Sequence, residues 1–308
     1  MGNAVDQCKD HWENSSSSSN NNAEEDCGGA ESAWESDELA GSERTITGCE
    51  QNRGRPPQET ITLSSLSHQP RKGNRRRRGP NANVFVEKFL IMRNLGFGRY
   101  GMVRECIHKQ SGGRFAVKTV CKARLPNDQQ HRVKREKNIL KTLGTHKNIL
   151  ELKGCFEDEE FLHIVSPVYQ GGQLFDFVNR KGCATVAETI SIMKQVLGAL
   201  DFLHSHDIVH RDVKLENWLF EDPPSLHVRL VDFGHARFFN EQDDRFMHTQ
   251  VGTLHYTAPD VLRGRYTARC DAWSAGVLLF ILLYGYFPFH GRAGGPDGVA
   301  AAVLTAPV

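Results

Sequence analysis

His210-Arg211-Asp212-Val213-Lys214-Leu215-Glu216-Asn217, followed downstream by Asp232-Phe233-Gly234, is the stretch that decides how this chain is read. It gathers two carboxylates, a lysine and an amide at short, fixed spacings. Such groups suit phosphoryl transfer: a carboxylate orients a hydroxyl nucleophile and an ammonium offsets charge on the moving phosphate. Carboxylate and amide oxygens hold Mg²⁺. One short motif arises easily by chance, whereas several in a set order do not.

Outward from that stretch, the 308 residues are enough for one large or two modest domains. An apolar content of 39% suits a globular core, but the apolar residues are unevenly spread. The net charge of +1 hides an asymmetry: residues 1–50 are rich in Asp, Glu, Ser and Asn, whereas Arg71–Arg78 are nearly all basic. The longest apolar run, Val277–Phe287, is well short of the roughly 18 residues expected of a membrane-spanning helix. Residues 1–30 are polar and carry no secretory pattern. The eight cysteines lack CxxC pairs or ligand-spaced histidines. They read as reduced thiols of an intracellular, cytoplasmic protein rather than as a zinc or disulfide framework.

Residues 1–83, with the Ser15–Asn22 tract and scattered charges, bury too little apolar surface to offset ordering entropy and are expected to be disordered. A folded domain is expected from 84 to 290, and a Gly/Ala/Pro-rich tail from 291 to 308. Phe89–Leu95, Gly101–His108 and Arg114–Val120 read as strands, with Ser111-Gly112-Gly113 as a hairpin turn. An amphipathic helix follows over His131–Leu143, carrying Val133, Leu140 and Leu143, and Phe161–Val165 reads as a further strand. Thr185–His204 is the clearest helix. Thr185 and Glu188 form a capping-box pattern, and Ile190, Met193, Leu197 and Leu200 recur at helical spacing. Asp271–Tyr284 is apolar on nearly all sides, the pattern of a helix buried at the centre of a lobe. Strands first and helices later predict an α+β molecule in two lobes.

Gly96-Phe97-Gly98-Arg99-Tyr100-Gly101-Met102-Val103 is a second phosphate signal, because glycines let backbone N–H groups approach phosphate oxygens. The same pattern marks dinucleotide folds, which require a helix directly afterwards and an acid about twenty residues on. Here a strand follows, and Lys118 stands at that distance. Lys118 lies on an apolar strand, and Glu136 on the next amphipathic helix is its candidate ion-pair partner. His204, His206 and His210 are near one another in sequence. Two follow a helix end and one belongs to the opening motif, so structural roles are expected of them rather than a metal cluster.

From Val84 to about His290 the chain resembles the eukaryotic protein kinases, and within them the calcium/calmodulin-dependent group and the calcium-dependent serine/threonine kinases of plants and protists. The residues that carry the resemblance are His210–Phe220 (HRDVKLENWLF), Val251–Leu262 (VGTLHYTAPDVL) and Asp271–Phe289 (DAWSAGVLLFILLYGYFPF). The resemblance implies a small antiparallel sheet with one helix, then a mainly helical lobe, incomplete after the central buried helix. It implies an ATP- and Mg²⁺-dependent transfer to Ser/Thr hydroxyls of proteins. Asp212 and Lys214 would be catalytic, and Asn217 and Asp232 would hold the metal. Leu95, Gly96, Gly98, Gly101, Val103, Lys118, Glu136 and Tyr169 would form the ATP site, with the Tyr169 backbone at the adenine ring. Ser166 would gate the pocket behind adenine. Arg211 would pair with a phosphate on Thr249, with Asp243 and Asp244 as partial substitutes.

Four departures bear on activity. Asp260 stands where the family has glutamate, Pro167 replaces a common hinge glutamate, and Gln173 replaces an acid. The last helices of the lobe are expected to be missing, which would expose one side of Asp271–Tyr284. A catalytically weak kinase-like fragment that binds nucleotide or a partner therefore stays open beside the enzyme. No D-x-[DN]-x-[DN]-G loop is present, so calcium binding of the EF-hand type is not expected of this chain. Gly2-Asn3 resembles an N-myristoylation start, although Asp6 stands where Ser or Thr is preferred. Cys8 palmitoylation or the basic run would have to supply a second membrane signal. The same basic run is equally compatible with a nuclear address or a solvated linker.

Overall fold

A computed structural model describes residues 84–98, 101–125, 130–240, 242, 245–291 and 295–305. The expectations for Gly2, Cys8, the 1–83 tail with its basic run, and Asp243 and Asp244 lie outside these residues. The short helix α1 (Val84–Lys88) leads into β1 (Phe89–Gly98), β2 (Gly101–His108) and β3 (Arg114–Cys121). The β2–β3 turn is the expected one: Gly112 adopts a φ of 68°, and the His108 N–H donates to Gly113 O at 2.8 Å. Helix α2 (Gln130–Leu143) follows, then β4 (Gly154–Glu157) and β5 (Phe161–Pro167). The five strands form one antiparallel sheet in the order β1-β2-β3-β5-β4.

Directly paired residues of antiparallel strands share a face, so register assigns each side chain to one side of this sheet. Gly96, Val103, Lys118 and Ile164 form one cross-strand row. The adjacent row, Phe97, Met102, Thr119, His163 and Phe156, faces the other way. On α2 the positions Val133, Leu140 and Leu143 are buried as their spacing predicts, and Glu136 is buried with them.

The second half is mainly helical. It contains α3 (Leu174–Lys181), α4 (Val186–His204), β6 (Ile208–Val209), β7 (Trp218–Phe220), β8 (Val228–Leu230), β9 (Arg237–Phe238), α5 (Pro259–Leu262), α6 (Arg269–Tyr284) and α7 (Gly295–Thr305). The capping box at the start of α4 forms: Thr185 Oγ1 accepts from the Glu188 N–H, and Glu188 Oε2 accepts from the Thr185 N–H at 2.8 Å. The buried face of α4 differs from the expected one. Met193 and Leu200 are inside, but Ile190 and Leu197 are about half exposed at 50% and 53%. Ile192, Val196, Ala199 and Leu203 take the core positions against α6. Apolar residues occur on more than one face of this helix, and packing, not spacing, selects among them.

Helix α6 is apolar around its circumference and largely buried, and Gly285 in the left-handed region ends it. Its outer side leaves Leu279 and Tyr284 exposed. The tail itself reads differently in three dimensions. Residues 295–305 form α7, with Val299 and Val303, one turn apart, buried against α5 and the 3₁₀ turn Leu254–Tyr256. Gly and Pro marked this segment as irregular. Pro296 falls in the first helical turn, where a missing N–H costs little, and the alanines after it favour helix.

Candidate active site

The site lies where the Lys118 face of the sheet meets the loops between β6 and β9. Lys118 Nζ donates to Glu136 Oε1 and to Asp232 Oδ1, each at 2.8 Å. One ammonium thus ties β3, α2 and the Asp232-Phe233-Gly234 segment together. Burial opposes a charged Lys118, but Asp232 and Glu136 outweigh it and push its pKa up. Burial likewise opposes the Asp232 carboxylate, and Lys118 overcomes it, holding that carboxyl well below the usual range. At Glu136 burial wins and raises the pKa against the pull of Lys118.

The loop after β6 supplies the second cluster. Lys214 Nζ donates to Thr253 Oγ1 at 2.7 Å, and Thr253 Oγ1 donates to Asp212 Oδ1 at 2.9 Å. Lys214 Nζ also lies 3.3 Å from Asp212 Oδ2. Asn217 Nδ2 donates to the Asp212 carbonyl at 2.8 Å and to Oδ2 at 3.2 Å. Burial would raise the Asp212 pKa, but Lys214, His235 and His210 together lower it, so the group is a carboxylate. Because its amide nitrogen is spent on Asp212, Asn217 offers its carbonyl oxygen to a ligand.

Two residues here carry positive φ without being glycine: Arg211 at 66° and Asp232 at 62°. Non-glycine residues in that region are held there by their surroundings. Asp271, fully buried in the first turn of α6, accepts from the backbone N–H of His210 and of Arg211, each at 2.8 Å, and from His204 Nε2 at 2.9 Å. The Arg211 side chain donates to His235 O at 2.8 Å and to Tyr266 Oη at 3.1 Å, and Tyr266 Oη donates to Thr249 O at 2.6 Å. A cavity of about 110 Å³ lined by His131, Arg132, Arg135, Arg211, Arg237 and Thr249 adjoins this chain of contacts.

The glycine segment is a tight hairpin in which Gly98 pairs with Gly101; Arg99 and Tyr100 lie outside the described residues. A Cβ on Gly101 would come 2.2 Å from Thr119 O, so only glycine fits there. Val103 pairs with Lys118 and shares its face, while Leu95 is exposed on β1. Ser166 is buried and pairs with Ala116 across β3 and β5. The Tyr169 side chain turns to other partners: its Oη accepts from the Glu151 N–H at 3.4 Å, and the Arg229 guanidinium sits 5.4 Å from its ring centre.

The histidines take structural roles, as expected. His204 bonds Asp271, His206 packs on Phe202, and the His210 ring meets Phe233 edge-on. Among the described residues no group of three or more His, Cys, Asp or Glu side chains could hold a metal. Asp260 pairs locally with Arg263 at 3.4 Å on the surface. Sequence reasoning missed Asp271 and Tyr266. Thr253 entered only within the Val251–Leu262 stretch, and an acid opening an apolar helix, as Asp271 does, is a visible signal of a buried acceptor.

The comparisons with known proteins identify the family. The family model described as the protein kinase domain matches residues 89–301. Calcium-dependent protein kinase 3 of Plasmodium yoelii yoelii is 42% identical over 200 residues, 65% of this chain and 36% of that protein. Calcium-dependent protein kinase 4 of Arabidopsis thaliana is 37% identical over 205 residues, 66% of this chain and 40% of that protein. The chain therefore spans well under half the length of these relatives. With a family match over most of the chain and an α+β architecture of antiparallel sheet followed by helical lobe, the chain belongs to the protein kinase domain family.

Proposed function

We propose that this chain transfers the γ-phosphate of ATP to serine or threonine hydroxyls of proteins, in intracellular signalling. The observation that carries the reading is the bridging of Glu136 and Asp232 by Lys118, beside an Asp212 carboxylate already oriented by Asn217 and Thr253.

ATP lies against Gly96, Gly98 and Gly101, with Leu95 and Val103 over the adenine and the Tyr169 backbone N–H at its edge. Lys118, fixed by Glu136, contacts the α- and β-phosphates. The substrate hydroxyl donates to Asp212, whose lowered pKa favours the orienting carboxylate over a strong base. As the oxygen bonds to the γ-phosphorus, the bond from that phosphorus to the β–γ bridging oxygen breaks and ADP leaves; the hydroxyl proton passes to Asp212, and Lys214 offsets charge on the transferring group. Hard oxygen donors are the right chemistry for Mg²⁺. Asp232 and the Asn217 carbonyl would hold it together with the nucleotide's own phosphates, and when bound it neutralises charge on the β- and γ-oxygens. Two protein oxygens, without a fuller cage, fit a cation that arrives with its nucleotide.

A phosphate on exposed Thr249 would face the cationic cavity that includes Arg211, and we assign it a regulatory role. No helix among the described residues is long and apolar enough to cross a membrane. A cytoplasmic setting rests on the free cysteines. Radiolabelled phosphate incorporation by this chain and by Asp212→Ala tests the reading. Incorporation by the wild type alone is expected, and equal incorporation excludes catalysis. Thermal stabilisation by ATP with Mg²⁺ but without transfer would instead favour the binding-module alternative.

A further inference from the structure

Phe85 lies ahead of the residues matched by the family model, yet it is 3% exposed. It belongs to α1, a helix of five residues, too short to persist on its own hydrogen bonds. Two things hold it. Lys109 closes over it, its Nζ donating to Val86 O at 2.7 Å and its backbone N–H to Lys88 O at 2.8 Å. The Phe85 ring inserts into a core of Phe89, Cys106, Val117 and Val165 on the sheet face opposite Lys118.

The ring ends on a specific partner. It stacks on the His163 imidazole with centroids 4.2 Å apart and planes 10° from parallel. His163 Nδ1 is 3.0 Å from Thr119 Oγ1, its direct neighbour across β3 and β5. Thr119 follows Lys118 in the chain and pairs with Met102 on β2. Its carbonyl is also the group that leaves no room for a Cβ on Gly101. A displacement of Thr119 therefore moves both phosphate-contacting elements, Lys118 and the Gly101 end of the hairpin.

The geometry points to Phe85, His163 and Thr119 as positioning residues: a prop on the outer face of the sheet that sets ATP affinity from the segment just ahead of the matched domain. It acts on nucleotide binding and leaves the Asp212 cluster, on other elements, untouched. The inference rests on the kinase reading above and extends it to residues that never touch the nucleotide.

The test uses the full chain and steady-state kinetics with ATP and a protein substrate, alongside thermal unfolding. Phe85→Ala and Thr119→Val are each expected to raise the ATP KM about tenfold while kcat stays within about twofold, the split left by a shifted binding element. Thr119→Ser, which keeps the hydroxyl, should return the KM to the wild-type value. If Phe85→Ala does not fold, the two Thr119 variants decide alone, since Thr119→Val conserves volume and Thr119→Ser removes only one methyl. An unchanged KM in Thr119→Val overturns the prop, as does an equal rise in Thr119→Ser. So does a Phe85→Ala protein that melts earlier but binds ATP as before. A wild-type chain that neither binds ATP nor transfers phosphate would instead bring down the kinase reading, and this inference with it.

Discussion

The backbone N–H of Arg211 donates to Asp271 Oδ1 at 2.8 Å, joining residues that are 60 positions apart. Arg211 sits in the left-handed region, which a bulky side chain rarely adopts unaided. Asp271 is the group that makes this conformation affordable, since its second oxygen also accepts from His210 N–H and His204 Nε2. The loop after β6 is thus hung from the first turn of the central helix α6.

Removing that anchor should cost both stability and activity. Asp271→Ala leaves two buried N–H groups without their acceptor, at about 1–3 kcal/mol each. We expect a markedly lower melting temperature and a reduced kcat, with Asp271→Asn intermediate because it keeps one carbonyl oxygen. Thermal unfolding and initial rates on the same preparations check this; a wild-type kcat in Asp271→Ala would remove the anchor's role in catalysis.

Thr253 links Lys214 to Asp212 through a single hydroxyl. Thr253→Val should therefore lower kcat by about tenfold or more, in the range for losing an oriented acid–base group, with little change in ATP KM. Thr253→Ser should restore most of the rate. Equal kcat in the valine variant would show that Lys214 and Asp212 hold their geometry without the bridge.

Ser166, which the kinase reading places at the gate behind adenine, is small and buried. Bulky adenine-mimetic inhibitors are expected to bind unusually well, and Ser166→Met to weaken them by about tenfold or more through steric exclusion alone. Dose–response curves for wild type and variant, each at its own ATP KM, measure this. Unchanged potency would place the gate elsewhere.

Thr249 is exposed, and its carbonyl connects through Tyr266 Oη to the Arg211 side chain. Protein made in eukaryotic cells should lose activity on Thr249→Ala, whereas unphosphorylated wild type and variant should match each other. Activity of the cell-made variant equal to wild type counts against control at this site.

Glu157 on β4 accepts from Lys122 Nζ at 2.7 Å and Lys137 Nζ at 2.5 Å, tying the sheet to the middle of α2. Partial burial would raise its pKa, but the two lysines override this and take it from 4.5 to about 2. A pKa depressed by folding stabilises the native state fully above the unfolded value. The contribution declines between about 4.5 and about 2 and is gone below that range. Glu157→Gln should therefore destabilise by about 1–2 kcal/mol at pH 7, after allowance for flexible lysines and solvent, and by progressively less toward pH 3. Denaturant titrations across that range provide the check. A loss independent of pH would mean that packing, not charge, explains the effect.

Much of this molecule was legible from local order. The three N-terminal strands, the amphipathic α2, the capping box of α4 and the apolar α6 follow from turn residues and hydrophobic period. The missed elements are those where period is uninformative. Strand β4 has four residues and α3 eight, and α7 is made of Gly, Pro, Ala and Val, whose signals compete. The face of α4 was misjudged for the same reason, since exposed Ile190 and Leu197 read like core in one dimension.

For the site, residue types and spacing within His210–Asn217 already suggested the chemistry proposed above, because neighbours in a short loop meet whatever the rest of the chain does. What the linear order could not decide is which distant groups share a charge. Lys118 and Asp232, 114 positions apart, meet only because β3 and the loop before β9 face one cleft. Asp271 reaches the loop after β6 only through the packing of α6 beneath it. The stack of Phe85 on His163 exists only because sheet register turns Thr119 away from the face that carries Lys118. Such contacts are set by burial and register over the whole domain, and no window of sequence contains both partners.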